Sequence, residues 1–197
     1  RHCVGGCRRV ELLLDRYGKK DDQHHPKHAP QPKQYCLLLI IHSISILMFL
    51  ILHNVRSAYN VGSIFRTADA AGVEKIFLCG YTPTPATKTA LGAEATVPWE
   101  HHAQTWRLLK ELKRQDIHIV ALEQYQYSTD LFRYTPKFPM ALLVGHERKG
   151  LSKTMLHLVD DIVEIPMHGA KESLNVAVAT GIAVYYLYVR PQTRSKS

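Results

Sequence analysis

The sequence has few cysteines and lacks the marks of several common protein classes. Four cysteines occur in 197 residues, at irregular positions that do not fit a disulfide framework. The Cys3/Cys7 pair has no second ligand pair at zinc spacing, so we expect no metal site. No glycine-rich GxGxxG turn follows the first candidate strand, which argues against a nucleotide-binding oxidoreductase. These absences indicate reduced thiols and a cytoplasmic location.

Long hydrophobic runs are also scarce. The one candidate is Cys36–Leu52, CLLLIIHSISILMFLIL, which basic residues precede as in a signal peptide. It is short for a membrane span, contains His42, Ser43 and Ser45, and has no small-residue cleavage pattern. We expect a buried strand with an extension before it and no membrane partner. Membrane attachment through this run is the alternative, and a detergent-free soluble dimer would remove it.

Positive charge is abundant and is concentrated near the N-terminus. The net charge is +8 and the isoelectric point about 9.4, which suits a polyanionic partner such as nucleic acid. Residues 1–35 carry half of this charge and include DDQHHPKHAPQPKQ, a composition typical of a disordered tail. The sequence therefore predicts an extension over residues 1–45, one domain over 46–190 and a tail over 191–197.

Apolar, β-rich runs alternate with helical segments from residue 46 onward. The candidate helices are Ala58–Ala71, a segment around Trp106–Gln115, Ser152–Val159 and Val176–Val189. The candidate strands are Ile46–Leu52, Lys75–Cys79, Ile117–Leu122, Ala141–Val144 and Asp161–Ile165. Strands that are apolar throughout and separated by helices predict an α/β fold, with a mostly parallel sheet flanked by helices. In such sheets ligands bind beyond the carboxyl ends of the strands.

The loop after the first strand is rich in polar groups. It belongs to HNVRSAYNVGSIFRTADAAG, His53–Gly72, in which Asn60 and Ser63 lie at the head of a helix. Asn60 alone also fits an ordinary helix cap. Arg66 lies in sequence among apolar residues, where a guanidinium group needs an anionic partner or a cleft.

Two later loops have the same character. In LLVGHERKGLS, Gly145 and Gly150 flank Glu147, which suits a backbone that closely approaches a ligand but also an ordinary strand-to-helix turn. In IPMHGAKESLN, Ser173 and Asn175 head the last helix. Capping requires only one of them, so the second is available to a bound polar molecule.

These three segments, in this order, resemble the three signature motifs of the SpoU (TrmH-type) RNA ribose 2'-O-methyltransferases of the SPOUT superfamily. The likeness runs from about Ile46 to Val189 and includes the linking stretches KTALGAE and VALEQ. His146, Ala177 and Tyr186 depart from the usual pattern, which puts local packing in doubt rather than a catalytic group. The separate RNA-binding extension of some members has no counterpart here.

The resemblance implies a homodimer with a deep C-terminal trefoil knot and S-adenosylmethionine as cofactor. The cofactor-binding residues implied are Leu122, Gly145, Ile165, Met167, Ser173 and Leu174. The implied reaction is methyl transfer to a ribose 2'-hydroxyl, and the implied catalytic residues are Arg66, Asn60, Glu147, Ser173 and Asn175. Because guanidinium groups keep their proton in proteins, Arg66 is expected to stabilise the developing alkoxide rather than act as a base.

The substrate is less closely defined. We expect RNA, with tRNA favoured by analogy and rRNA as the alternative. A non-catalytic RNA-binding module of the same fold is a further alternative, against which the retained catalytic residues argue. Arg56, Lys88 and Arg148 are candidate phosphate contacts. The long segment Tyr81–His102 is interpreted as a surface element over the site.

Overall fold

The structure is a computed structural model and describes residues 46–191. Seven parallel strands form the centre of this part of the chain. The strands are β1 Met48–His53, β2 Lys75–Cys79, β3 Trp99–His102, β4 His118–Leu122, β5 Thr129–Asp130, β6 Met140–Val144 and β7 Asp161–Glu164. Their order across the sheet is β3-β2-β1-β6-β4-β7-β5, and each pairing is parallel. The predicted extension over residues 1–45 and residues 192–197 of the predicted tail lie outside the described residues.

Helices connect the strands and cover both faces of the sheet. They are α1 Ala58–Ala71, α2 Thr87–Ala90, α3 Ala93–Thr96, α4 Thr105–Arg114, α5 Lys153–Leu156 and α6 Val176–Val184. A 3-10 turn spans Leu131–Arg133, and α6 continues into a π-helical turn over Tyr185–Val189. Within residues 46–191, no helix is both long and apolar enough to cross a membrane.

The core is divided between the two faces of the sheet. Along β1, Leu50 and Leu52 face one side and Phe49 and Ile51 the other, as the alternation of side chains along a strand requires. The first side packs under α1 and α6, and the second under α4 and α5. Burial on both faces explains why the central strands are apolar throughout. The prediction of an α/β fold with a parallel sheet and flanking helices is confirmed.

The edges of the sheet differ from the sequence-based expectation. The segment Tyr81–His102, interpreted as a surface element over the site, instead forms α2 and α3 against α1 and then the edge strand β3 on β2. β3 reads WEHH and β5 has two residues, so neither carries an apolar run. The third predicted helix, Ser152–Val159, shortens to the single turn α5, which Ser152 caps as expected.

A polar cluster fastens the amino ends of β4 and β7. Asp161 Oδ2 lies 2.7 Å from His118 Nε2 and accepts a hydrogen bond of 2.8 Å from the Tyr134 hydroxyl. Burial raises the pKa of the Asp161 carboxyl, but the hydrogen bonds from His118 and Tyr134 outweigh it and hold the pKa below its ordinary value. The ionised carboxylate therefore favours the folded state.

Replacing Asp161 by asparagine is expected to lower the free energy of unfolding by about 1 kcal/mol at neutral pH, since the pair is partly exposed. The carboxyl pKa is lower in the folded protein than in the unfolded chain. Its stabilisation is therefore complete above the ordinary aspartate pKa of about 4 and is lost as the pH falls through the folded value. Urea titrations between about pH 7 and pH 3 should show the two proteins converging in acid. A difference in the free energy of unfolding that grows as the pH falls would contradict this account.

Candidate active site

A cavity of about 350 Å³ opens at the carboxyl ends of β4, β6 and β7. This position follows from the parallel sheet, in which loops that leave neighbouring strands meet at one edge. Its volume suits a small-molecule ligand. The six residues expected to hold the cofactor all line it: Leu122, Gly145, Ile165, Met167, Ser173 and Leu174.

The loop from Gly145 to Leu151 forms one wall of this cavity and is closely packed. A Cβ atom at Gly145 would lie 2.9 Å from both the Gly150 carbonyl carbon and Leu151 Cγ. Gly150 has φ +60° and its backbone lies against the Glu123 carboxylate, which a Cβ atom there would meet at 2.3 Å. Glu123 Oε2 accepts a hydrogen bond of 2.7 Å from the Leu151 N–H. Glycine is therefore needed at both positions, and Glu123 anchors the loop.

The Glu147 carboxylate accepts hydrogen bonds from the loop that precedes α1. Its Oε1 accepts hydrogen bonds from the backbone N–H groups of Arg56, at 3.1 Å, and Ser57, at 3.2 Å. It also accepts one of 3.2 Å from Asn60 Nδ2. Asn60 Oδ1 in turn accepts a hydrogen bond of 3.2 Å from Asn175 Nδ2. One chain of hydrogen bonds thus links a residue from each of the three sequence motifs.

The electrostatics of Glu147 suit a fixed acceptor. Burial raises the pKa of this carboxyl, but the backbone N–H groups and the Asn60 amide that bond to it hold the pKa below its ordinary value. Glu147 is therefore ionised at neutral pH and cannot donate a proton there. Its role in this geometry is to hold Asn60 and the loop before α1 in place.

The neighbouring His146 is a buried structural residue. Its Nδ1 accepts a hydrogen bond of 2.9 Å from the Arg148 N–H. Its ring packs against the Tyr81 ring in an edge-to-face arrangement, with ring centroids 6.3 Å apart. Nδ1 also lies 3.8 Å from Glu147 Oε2, but an imidazole nitrogen that accepts from a backbone N–H carries no proton. That contact is therefore not an ion pair. The unusual histidine at this position is thus accommodated by packing and a local hydrogen bond.

Helix capping explains which polar side chains remain available. Ser57, not Asn60 or Ser63, caps α1 by accepting from the Asn60 N–H at 3.3 Å. Asn60 is therefore free to bond with Glu147 and Asn175, so the ordinary-cap interpretation of Asn60 is wrong. Asn175 Oδ1 caps α6 by accepting from the Ala177 N–H at 2.9 Å, while its Nδ2 is used elsewhere. Ser173 is exposed beside the cavity.

Arg66 lies apart from this cluster. Its side chain is on the exposed side of α1, whereas Ile64, Phe65 and Ala68 are buried. Among residues 46–191 the structure gives its guanidinium group no hydrogen bond and no ion pair. The guanidinium group is open to solvent and to an external anion, so the prediction that Arg66 serves an anionic partner stays a prediction.

The three candidate phosphate contacts are all exposed. Arg148 lines the cavity, Arg56 lies in the loop that Glu147 holds, and Lys88 lies on α2. In the described part of the chain, no group of three or more His, Cys, Asp or Glu side chains could hold a metal ion. Glu123 was missed by sequence reasoning, although an acid directly after β4 and beside Leu122 was a usable signal.

Residues 47–185 match the model of the SpoU rRNA Methylase family. The chain belongs to this family. The 23S rRNA (guanosine-2'-O-)-methyltransferase RlmB of Ralstonia nicotianae is 34% identical over 143 residues, covering 70% of this chain and 57% of the relative. RlmB of Shewanella oneidensis is 36% identical over 141 residues, covering 69% and 56%. The chain thus spans a little more than half the length of these curated relatives, and the membership predicted from the three motifs is confirmed.

Two solved structures of RNA-modifying enzymes share the fold. The TrmH/SpoU tRNA modifying enzyme of A. aeolicus superposes with a TM-score of 0.70 at 27% identity, over 82% of this chain and 85% of that one. The AdoMet-bound rRNA methyltransferase from Sinorhizobium meliloti gives 0.62 at 26% identity, over 89% and 68%. These likenesses show a shared fold, and the roles of individual residues are argued from this chain's own geometry.

Asn175 allows the cap and the link to Asn60 to be separated by mutation. Asn175→Asp keeps the oxygen that caps α6 but removes the amide that donates to Asn60 Oδ1. We expect it to leave stability nearly unchanged and to lower the proposed methyl transfer by on the order of tenfold. Asn175→Ala should lose both the cap and the hydrogen bond to Asn60, and its free energy of unfolding should fall by about 1 kcal/mol. Thermal unfolding and methyl transfer, measured on the same variants, check both expectations. Equal activity in Asn175→Asp and the unmodified protein would contradict a role for the Asn175–Asn60 hydrogen bond.

Proposed function

We propose that this protein binds S-adenosylmethionine in the cavity and transfers its methyl group to a ribose 2'-hydroxyl of RNA. The observation that carries the proposal is the hydrogen-bonded chain Glu147–Asn60–Asn175, which joins the three family motifs beside a cavity lined by the six expected cofactor residues. The relatives named above are RNA methyltransferases by name, which supports the same reaction class.

The cavity is chemically suited to this cofactor. Glu123, Glu147, Glu164 and Glu172 line it together with Arg148 and Lys149. Acids therefore outnumber cations by two, and the wall favours a ligand that carries positive charge. Leu122, Ile165 and Leu174 supply apolar contacts beside exposed backbone groups of the loops. Bound S-adenosylmethionine would supply a methyl group on a sulfonium, which is a good leaving group.

The protein's own part in the reaction is alignment and charge stabilisation. Glu147 and Asn175 hold both ends of the Asn60 amide in a fixed position next to the cavity wall, and Ser173 provides an exposed hydroxyl in that wall. Arg66 keeps its proton and stabilises the alkoxide that develops as the ribose hydroxyl is deprotonated, while fixing the adjacent phosphate. This scheme uses no metal ion.

An exposed apolar face supports the proposal of a homodimer. α6 is apolar around its circumference, yet Val178 of α6 is 52% exposed and Tyr185, the first residue of the π-helical turn, is 47% exposed. Together with Ser63 and Thr67 of α1, they border a groove on the surface. Apolar surface of this kind is typical of a protein contact, and a second copy of the chain would cover it. The deep trefoil knot and the cytoplasmic location belong to the same proposal.

The proposal also names the class of RNA that is methylated. Analogy favours transfer RNA, and the A. aeolicus structure is of a tRNA modifying enzyme. Both RlmB relatives carry 23S rRNA in their names, which favours the alternative of rRNA. We therefore propose rRNA as the first substrate to test and tRNA as the second.

Two measurements test this proposal in sequence. Calorimetric titration should show S-adenosylmethionine binding at one site per chain, and methyl-labelled cofactor should then label rRNA or tRNA. Binding without transfer into either RNA would favour the non-catalytic RNA-binding module. Absence of cofactor binding would overturn the proposal outright.

A further inference from the structure

The outer face of α4 combines an exposed tryptophan with cations. We call Trp106, Arg107, Lys110 and Arg114 the α4 face. Trp106 is 42% exposed, and Arg107 and Lys110 lie over its ring, 5.2 Å and 5.1 Å from the centroid. The opposite side of the helix is buried through Leu108, Leu109 and Leu112. The core therefore fixes α4 and its exposed face in place.

The charges of this face are not neutralised within the described chain. Lys113 is paired with Asp160 at 2.8 Å, and Glu111 lies at the flank of the face. Over residues 46–191 the structure gives Arg107, Lys110 and Arg114 no carboxylate partner. Cations held over an aromatic ring with no acid between them suit an external polyanion, and the ring suits a stacked base.

The position of α4 connects this face to the edge of the sheet that holds the cavity. α4 begins at Thr105, whose Oγ1 is hydrogen-bonded at 2.7 Å to Nδ1 of His53, the last residue of β1. β1 lies beside β6, whose loop forms a cavity wall. The face then runs from Trp106 to Arg114, roughly 12 Å along the helix axis. Trp106 therefore lies near the carboxyl edge of the sheet, and the rest of the face extends from it toward the amino end of β4, which begins at His118.

We propose that the α4 face binds the phosphodiester backbone of the substrate RNA and stacks one of its unpaired bases on Trp106. This inference rests on the proposed function, because RNA is the polyanion that the function supplies. Arg107, Lys110 and Arg114 neutralise phosphates without reading sequence, and Trp106 adds sequence-tolerant stacking. The surface holds RNA outside the nucleotide that is methylated.

The test compares two variants of equal charge loss. Arg107→Gln/Lys110→Gln removes two cations from the α4 face, and Arg133→Gln/Lys137→Gln removes two exposed cations elsewhere. Fluorescence anisotropy with a labelled RNA stem-loop gives Kd between about 50 and 200 mM salt. We expect the α4 variant to bind roughly tenfold more weakly at low salt, with the salt slope reduced by about 1.4, since each single-strand contact contributes about 0.7. The control variant should stay within about twofold of the unmodified protein.

A second readout tests stacking by tryptophan emission. RNA should quench the fluorescence of the unmodified protein, and Trp106→Phe should remove most of the change. The other tryptophan, Trp99, lies in β3, where its Nε1–H donates a hydrogen bond to the Glu94 backbone carbonyl. Equal weakening in both charge variants, or quenching retained in Trp106→Phe, would overturn the inference and leave the face to a protein partner. In either case methyl transfer by the unmodified protein would still support the proposed function. Loss of RNA binding confined to the α4 variant would support the inference even if no transfer were seen.

Discussion

Replacing Arg66 by alanine is expected to lower kcat for RNA methylation by two to three orders of magnitude. The guanidinium group is exposed and unpaired among the described residues, so its removal costs little stability. Its contribution would appear when negative charge develops on the ribose oxygen, and removal of one such stabilising group typically costs about 10²- to 10³-fold. Single-turnover transfer with saturating RNA and cofactor measures this loss directly.

The same experiment contains its control. Arg66→Lys keeps the positive charge but loses the planar fork of donors, so we expect an intermediate rate. Thermal unfolding and cofactor affinity should match the unmodified protein in both variants, since Arg66 does not line the cavity. A rate in Arg66→Ala within about threefold of the unmodified protein would remove Arg66 from the proposed mechanism.

Replacing Gly145 by alanine is expected to weaken cofactor binding by roughly 10- to 100-fold. The added Cβ atom would lie 2.9 Å from the Gly150 carbonyl carbon, so the backbone of the cavity wall must move. Such overpacking costs about 1–3 kcal/mol, and each 1.4 kcal/mol lost from binding is about tenfold in Kd. Calorimetric titration with S-adenosylmethionine measures the change, alongside thermal unfolding to separate binding from folding.

Gly169→Ala is the matched control for this prediction. Gly169 also lies in a loop beside the cavity, between Met167 and Ser173, but a Cβ atom there would meet nothing within 4 Å. We expect its cofactor Kd to stay within about twofold of the unmodified value. Equal changes in cofactor Kd in the two variants would show that the close packing of Gly145 against Gly150 does not determine the shape of the cavity.

The central strands were predictable because burial on both faces leaves an unmistakable apolar run. β2, Lys75–Cys79, was predicted with its observed bounds, and α1 was too, since Gly72 adopts φ +75° as a helix cap. The edge strands β3 and β5 were missed because an edge position leaves side chains half exposed, and WEHH has no apolar alternation. The π-helical end of α6 has no sequence signal that we recognise.

The site was predictable to the extent that its residues follow strands. Each motif comes after a strand, so the parallel sheet brings Asn60, Glu147 and Asn175 to one edge. Their partners were not predictable, because hydrogen bonding depends on which side chain caps each helix. Ser57 takes the cap of α1 and frees Asn60, while Glu123 anchors the glycine loop from a neighbouring strand. Such pairings depend on three-dimensional packing rather than on spacing along the chain.

The most direct measurement is the position of the transferred methyl group. RNA methylated with labelled S-adenosylmethionine would be cleaved by alkali and by nucleases, and the labelled products identified by mass spectrometry. A methyl group on the ribose 2'-oxygen removes the nucleophile that alkali needs, so the account predicts label in an alkali-resistant dinucleotide. Label on a base, released by alkali as a single nucleotide, would contradict the central claim.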